Sequence, residues 1–372
     1  MIQNARKAAL TVLDRCFGNG AWSSQALDGA IRPLSERDGA LVSHLSLGVL
    51  QNYILLDHCI DSFLNGNKKL DLTVRNILRL GAYQILFSDK IPARAAVNES
   101  VKLCRSSGFT SAGGLVNAVL RRISENGMPE SDDLAVRYSH PSWFVERMEA
   151  EHGIVFTEAL LKANNEIPPI ALHSAFAEGE TYVQDPAAYE AVVMAGPKPG
   201  MRVLDACAAP GGKSFTAAVL MQNSGVILSC DLHEKKLSLI RSGADRLGIH
   251  IIETRCADAS VRLKEWENTF DLVIADVPCS GFGVIRKKPE IRMKTESEIA
   301  ALPAIQKRIA DNLAGYIVPG GRMLYSTCTI FPEENEAISH SLGGFIVEKE
   351  KTFWPHTDGT DGFYACVLRK SK

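Results

Sequence analysis

No Cys-x-x-Cys pair occurs in the 372 residues, so the spacing expected of a structural zinc site is missing and no metal is expected. The nine cysteines, at 16, 59, 104, 207, 230, 256, 279, 328 and 366, are odd in number and scattered, which argues against a disulfide framework. No apolar run comes near the roughly 20 residues of a membrane span. The opening MIQNARKAAL lacks the uncharged core of a signal peptide. A cytoplasmic chain with no membrane partner is expected, and a monomer. Net charge is nearly absent, at −2 from 41 basic and 43 acidic residues, so a nucleic-acid partner would need a local basic surface. Neither GxxxxGK[ST] nor GxGxxG is present, which removes the P-loop and the dinucleotide fingerprint.

What is present reads as two folded regions. With 46% hydrophobic and 23% charged residues, a chain of this length supports about two domains. Residues 1–127 carry only helical periodicity. Leu41, Leu45, Val49, Tyr53 and Leu56 recur at steps of three or four, as do Val74, Leu78, Ala82 and Ile85. Breaks are expected at 18–20, 65–67, 90–92 and 127–129. Residues 128–195 read as a connector, with a short helix near Pro141 and another opened by Gln184-Asp185-Pro186. From 196 to 372 short apolar runs alternate with helical stretches: 202–205, 226–229, 249–253, 271–275 and 322–325. That alternation predicts a parallel, doubly wound sheet. The runs 345–347 and 363–367 can close it as an antiparallel pair. Residues 1–140 hold 16 basic and 13 acidic residues, a mildly basic balance compatible with RNA contact.

Ligands of such sheets bind beyond the carboxyl ends of the strands. The loop after the first strand contains Cys207, Ala208, Ala209, Pro210, Gly211, Gly212 and Lys213, a small-residue turn whose N–H groups can face a ligand. Asp231 follows the second strand, where a carboxylate can accept ribose hydroxyls. Asp258 follows the third, where it can meet an adenine amine, and Asp276 ends the fourth. Three acids in order behind a glycine turn argue for an adenosine-containing ligand. S-adenosylmethionine fits, because it needs no phosphate cradle.

Two cysteines complete the pattern. Cys279 follows the fourth strand and Cys328 ends the fifth. A methyltransferase needs a thiol when the accepting atom lacks electron density, as carbon 5 of cytosine does. Adding a thiolate to carbon 6 makes carbon 5 nucleophilic, and elimination later frees the enzyme. Two half-buried packing cysteines are the plainer alternative, weakened by their register beside the ligand loop.

The stretches CAAPGGKS at 207–214, DVPCSGFGVIRKKPEIR at 276–292 and YSTCTIFPEENE at 325–336 resemble the Nol/Nop/Sun family of RNA cytosine-5 methyltransferases, in its bacterial 16S ribosomal RNA branch. RLGAYQILFSDKIPARAAVNESVKL at 79–103 with GLVNAVLRR at 114–122 is similar to a NusB-like RNA-binding domain. The resemblance implies an all-α NusB-like domain followed by an α/β Rossmann-like class I methyltransferase domain. It implies Cys328 as the nucleophile, Cys279 as the group that assists release, and S-adenosylmethionine held by 207–213, Asp231, Asp258 and Asp276. Small-subunit ribosomal RNA is the implied partner, with transfer RNA, or an assembly factor carrying an inactive domain, as alternatives. Arg286, Lys287, Lys288 and Arg292 are expected to meet RNA phosphates. Residues 169–184 are shorter than the family leads one to expect, which puts the RNA target in question but not the chemistry.

Overall fold

The computed structural model describes residues 5–64 and 69–372. The chain divides into two compact units, Met1–Asn165 with Ile285–Met293, and Glu166–Val284 with Lys294–Lys372. This differs from a division at 127 and 195. The stretch expected as a connector is shared out, its helices before Asn165 going to the first unit and residues from 166 onward, with the helix after Asp185, to the second. Segment 285–293 also belongs to the helical unit, although its sequence neighbours lie in the other.

The first unit is helical: α1 (Ala5–Asn19), α2 (Ser23–Ile31), α3 (Glu36–Ser62), α4 (Leu72–Phe87), α5 (Ala93–Ser106), α6 (Gly113–Asn126), α7 (Leu134–Arg137), α8 (Ser142–His152) and α9 (Ile154–Ala163). Side chains set the starts. Ser35 Oγ accepts from Asp38 N at 3.2 Å before α3, and Asp71 Oδ1 accepts from Thr73 N at 2.9 Å before α4. The apolar stripes meet in one core that includes Leu45, Val49 and Leu56 of α3, Val74, Leu78 and Ala82 of α4, and Val119 and Ile123 of α6. The break expected at 65–67 lies outside the described residues. One expectation needs correction: α3 is long and apolar enough to cross a membrane by length and composition. Half of its apolar stretch is buried within the helical core, as in a central helix of a bundle.

The second unit opens with a small antiparallel hairpin, β1 (Leu172–Ser174) and β2 (Thr181–Val183), then α10 (Pro186–Ala195), which Asp185 caps through Ala187 N at 3.0 Å. The main sheet is built from β3 (Arg202–Asp205), β4 (Val226–Asp231), β5 (Ile252–Cys256), β6 (Phe270–Asp276), β7 (Ile317–Thr327), β8 (Phe345–Phe353) and β9 (Phe363–Lys370). Its seven strands run in the order β5-β4-β3-β6-β7-β9-β8. The first five in that order are parallel, and β9 is antiparallel to both neighbours. Helices α11 (Gly212–Leu220), α12 (Glu234–Arg246) and α14 (Leu302–Ala314), with the single turn α13 (Glu296–Ile299), fall between the parallel strands. Along β6, Leu272 and Ile274 enter one core while Val273 and Ala275 enter the other. A strand covered on both faces must be apolar at successive positions, which is why these runs do not alternate.

Two strands start elsewhere than expected. Ile249 is buried where the chain closes after α12, its N–H donating to Ala244 O at 2.9 Å, so β5 begins only at Ile252. β7 runs from Ile317 through Pro319-Gly320-Gly321, with a register shift against β6, instead of starting at Arg322.

Candidate active site

The parallel strands deliver their carboxyl ends to one edge of the sheet. β3 ends at Asp205, and the chain turns through 206–211 into α11. Gly211 has φ of +119°, and a Cβ there would lie 2.5 Å from the Phe215 ring, so only glycine makes this turn. Asp205 is fully buried. Its Oδ2 accepts from Ser214 Oγ at 2.7 Å, while Oδ1 has no partner. Burial pushes this carboxyl up to about 7. A cleft opens in front of the turn, lined by Asp205, Cys207, Ala208, Ala209, Lys213 and Asp276 among others.

Lys213 leaves the first turn of α11 and reaches across to β6. Its Nζ donates to Asp276 Oδ2 at 2.7 Å, and Ser326 Oγ of β7 donates to Asp276 Oδ1 at 2.8 Å. Burial works to lower the Lys213 pKa, but the Asp276 carboxylate outweighs it, so the ammonium stays charged.

Cys279 and Cys328 meet. Their sulfurs are 3.1 Å apart, a hydrogen-bond contact between two free thiols. The hydrogen bond to Cys328, then burial, then the charges of Glu334 and Asp276 push the Cys279 thiol well above its usual range. The two loops are tied together. Ser280 Oγ and Thr329 Oγ1 are 2.7 Å apart, and Gly283 N donates to Cys328 O at 3.0 Å. A Cβ on Gly283 would lie 1.8 Å from Gly362 O, so the loop after Cys279 can pass this close only as glycine.

The cleft suits a cationic, small-walled ligand such as S-adenosylmethionine. Asp205 offers a buried oxygen without a partner, and the alanines and glycines leave the backbone accessible. Asp231 ends β4 beside Cys207, where it accepts from His233 N at 2.9 Å. Asp258 follows β5, is exposed, and turns its Oδ1 to Ser260 N and Oγ at 2.8 and 2.7 Å. Neither lines the cleft, whereas Asp276 and, from the loop, Cys207, Ala208, Ala209, Pro210, Gly212 and Lys213 do; Gly211 makes the turn without lining it. Cys207 is held as an inert thiol by burial and then by the nearby carboxylates.

Residues 192–369 match the family described as 16S rRNA methyltransferase RsmB/F, and residues 3–125 match the NusB family. The chain is 34% identical to the Probable ribosomal RNA small subunit methyltransferase B of Bacillus subtilis (strain 168), with 99% of each chain covered. The chain belongs to this methyltransferase B family. The Ribosomal RNA small subunit methyltransferase B of Vibrio cholerae serotype O1 is 30% identical, over 99% of this chain and 98% of that one. The crystal structure of PH0851 shares the fold, with a TM-score of 0.79 and 23% identity over the whole of both chains. The alignment with the Bacillus member runs over 442 positions, against 372 residues here, so that relative carries segments this chain lacks.

Against this family background, part of the basic stretch after Cys279 has to be corrected. Arg292 is 1% exposed. Its Nη1 donates to Ile285 O at 3.2 Å, and its Nη2 donates to Asn165 Oδ1 at 2.7 Å and Asn164 O at 3.4 Å. A guanidinium enclosed by carbonyls cannot reach a phosphate. Arg286 is also buried, and only Lys287 and Lys288 of the four stand exposed. The apolar Ile285 and Ile291 on either side draw the segment into the helical unit, which a charge count does not reveal. Phe144 and Phe282 are core residues. Sequence reasoning missed Asp205, Glu334 and Gln306. Glu334 stands inside the quoted YSTCTIFPEENE stretch, and Asp205 heads the glycine turn, while Gln306 on α14 carried no signal.

Proposed function

We propose that the chain transfers a methyl group to carbon 5 of a cytosine in small-subunit ribosomal RNA, through a covalent bond between Cys328 and carbon 6. Membership of the family makes it an S-adenosylmethionine-dependent ribosomal RNA methyltransferase. The observation that carries the finer reading is the meeting of two thiols, 3.1 Å apart, at adjacent strand ends beside the cofactor cleft. A methyltransferase acting on oxygen or on an exocyclic nitrogen has no use for such a pair.

S-adenosylmethionine supplies the electrophilic methyl group. The protein's own groups do the rest. Burial and the neighbouring carboxylates disfavour ionisation of Cys279, so Cys328, with the Lys213 ammonium nearby, is the sulfur assigned to attack as thiolate. Cys328 adds to carbon 6, and carbon 5 takes the methyl group. A base then removes the carbon 5 proton, the C5–H electrons form the C5=C6 bond, and the C6–S bond breaks to return Cys328 as thiolate. Cys279, in contact with that sulfur, is the base. Asp276, fixed by Lys213 and Ser326, faces the edge of the cytosine. The target base has to leave its stack to enter the cleft.

Bisulfite sequencing of total RNA from a deletion strain, with and without the restored gene, tests this reading. One small-subunit cytosine should lose protection in the deletion strain and regain it on restoration. Loss confined to transfer RNA overturns the target, and no lost cytosine overturns the chemistry.

A further inference from the structure

The peptide groups on both sides of Cys279 are gripped by two buried side chains. Gln306 Nε2, on α14, donates to Pro278 O at 2.9 Å on one side. Ser280 N donates to Glu334 Oε2 at 2.8 Å on the other. The grips are joined, because Gln306 Nε2 also donates to the same Glu334 oxygen at 2.8 Å. Glu334 is 1% exposed and Gln306 is fully buried. Glu334 is itself held, its carbonyl accepting from Tyr325 OH at 2.6 Å. A fifth contact closes the loop, Lys294 Nζ donating to Ser280 O at 2.6 Å. The loop carrying Cys279 therefore has no slack, and its sulfur rests against Cys328 with both flanking peptides fixed.

Burying an acid beside a thiol that must act as a base is costly unless the acid has a task. Glu334 Oε1 is buried with no partner, and so is Gln306 Oε1. A pair kept only to close a loop would not need a carboxylate, since a neutral amide accepts from Ser280 N equally well. We infer that Glu334 and Gln306 are positioning residues for Cys279: they aim its sulfur at the adduct, and the Glu334 carboxylate sets when that sulfur gives up its proton. This rests on the reading of Cys279 as the base of the release step.

The charge argument has a definite sign. Cys279 is faced by Cys328 and Tyr325 of the β7 end, by Asp276 of β6, by Glu334, and by the Lys294 ammonium across Ser280 O, with Lys213 beyond Asp276. A carboxylate near a thiol opposes its ionisation. With Glu334 in place the proton stays on Cys279 while Cys328 attacks. Once Cys328 is bonded to carbon 6, Cys279 releases its proton to solvent and accepts the carbon 5 proton.

The test follows the covalent RNA adduct through a single turnover of the full chain with small-subunit ribosomal RNA and S-adenosylmethionine, on denaturing gels across pH. In Glu334→Gln, which keeps the acceptor and removes the charge, the pH midpoint for adduct resolution should move to lower pH. In Gln306→Leu, which keeps Glu334, resolution should slow about tenfold more than adduct formation, from the loss of one buried hydrogen-bonded grip. Melting curves of both variants are recorded alongside, and Gln306→Leu stands as the test should Glu334→Gln fail to fold. A native midpoint in Glu334→Gln, or equal slowing of formation and resolution in Gln306→Leu, overturns the inference. Cys279→Ala in the same assay separates the two levels. If it accumulates no adduct, the base reading itself fails. If it accumulates adduct while the other two behave as native, only the positioning inference fails.

Discussion

Cys16, Cys59 and Cys104 of the helical unit carry the same thiol as Cys279 and Cys328 of the sheet unit, in opposite surroundings. The first three are buried in the apolar core of the bundle. Burial alone pushes Cys59 up to about 11, and Cys16 reaches the same level chiefly by burial. Cys104 Sγ donates to Phe109 O at 3.2 Å, which closes a helix end. The sheet-unit pair is only partly buried, and each sulfur has the other as partner. The difference lies in position. A helix interior offers a thiol only packing, whereas the carboxyl end of a parallel strand holds it at the open edge where ligands bind.

The largest effect expected from this contrast is at Cys328. Cys328→Ala should lower methyl transfer by at least about a thousandfold, as removal of a covalent nucleophile does, while S-adenosylmethionine still binds. Cys59→Ala should leave the rate within about twofold and cost about 1 kcal/mol of stability for the lost packing. Single-turnover rates and calorimetric cofactor titration read the two effects separately. Substantial activity in Cys328→Ala, or its loss in Cys59→Ala, would erase the distinction between the two sets of thiols.

Carboxylates divide in the same way, the half-buried Asp57 against the fully buried Asp205. In the helical unit Asp57 receives Arg79 at two points, Nε at 2.9 Å and Nη2 at 2.6 Å, so its charge is met by a cation. Asp205 in the sheet unit meets no cation at hydrogen-bond distance: it has the Ser214 hydroxyl and the Cys207 backbone, and its Oδ1 is without a partner. Its folded pKa of about 7 lies above the ordinary 3.8 because burial disfavours the charge. The unfolded chain therefore sheds this proton first. The contribution of Asp205 to stability is complete below about pH 4, is lost as pH rises toward 7, and is flat above that. Asp205→Asn removes the ionisation and keeps the acceptor for Ser214. Cofactor-free urea denaturation should show the variant gaining on the native chain between pH 4 and pH 7, by a few kcal/mol as an order of magnitude. Parallel stability curves would mean that burial does not raise the Asp205 pKa and that the group ionises in the folded protein as in the unfolded chain.

Much of this site can be read in the sequence because strand ends are local features. A short apolar run followed by Asp231, Asp276 or Cys328 places each residue at the sheet edge with no knowledge of distant contacts, and β3, β4 and β6 end where that reading puts them. The long-range partners were not legible. Nothing in the periodicity of α14 says that Gln306 reaches Pro278, 28 positions earlier. Segment 285–293 failed for a related reason. Its charges were counted as surface, but Glu290 Oε1 accepts from Ser23 N at 3.0 Å and Tyr53 OH donates to Arg292 O at 3.1 Å, contacts made across more than 230 positions of sequence. Short elements followed the same rule: β5 moved because the closure after α12 took up Ile249.

The smallest effect lies in that segment, where the four expected phosphate contacts split two and two. Lys287 and Lys288 are exposed, with the Lys288 ammonium 5.6 Å from the centre of the Trp22 ring. Arg286 and Arg292 are buried. A lysine that meets a phosphate releases counterions, so its loss weakens binding and also flattens the dependence of affinity on salt. A buried arginine has no such signature, and its loss reaches RNA only through the fold. Lys287→Ala with Lys288→Ala should reduce RNA affinity a few-fold and lower the salt slope by about one to two units, with unchanged melting. Arg292→Lys should lower the melting temperature, because an ammonium cannot span Ile285 O and Asn165 Oδ1 as the guanidinium fork does, and should leave the salt slope as it was. Filter binding at several salt concentrations reads both variants. A salt slope that falls in Arg292→Lys and not in the double lysine variant would place the phosphate contacts on the residues that the fold encloses, and the segment would then have to leave the helical unit to bind RNA.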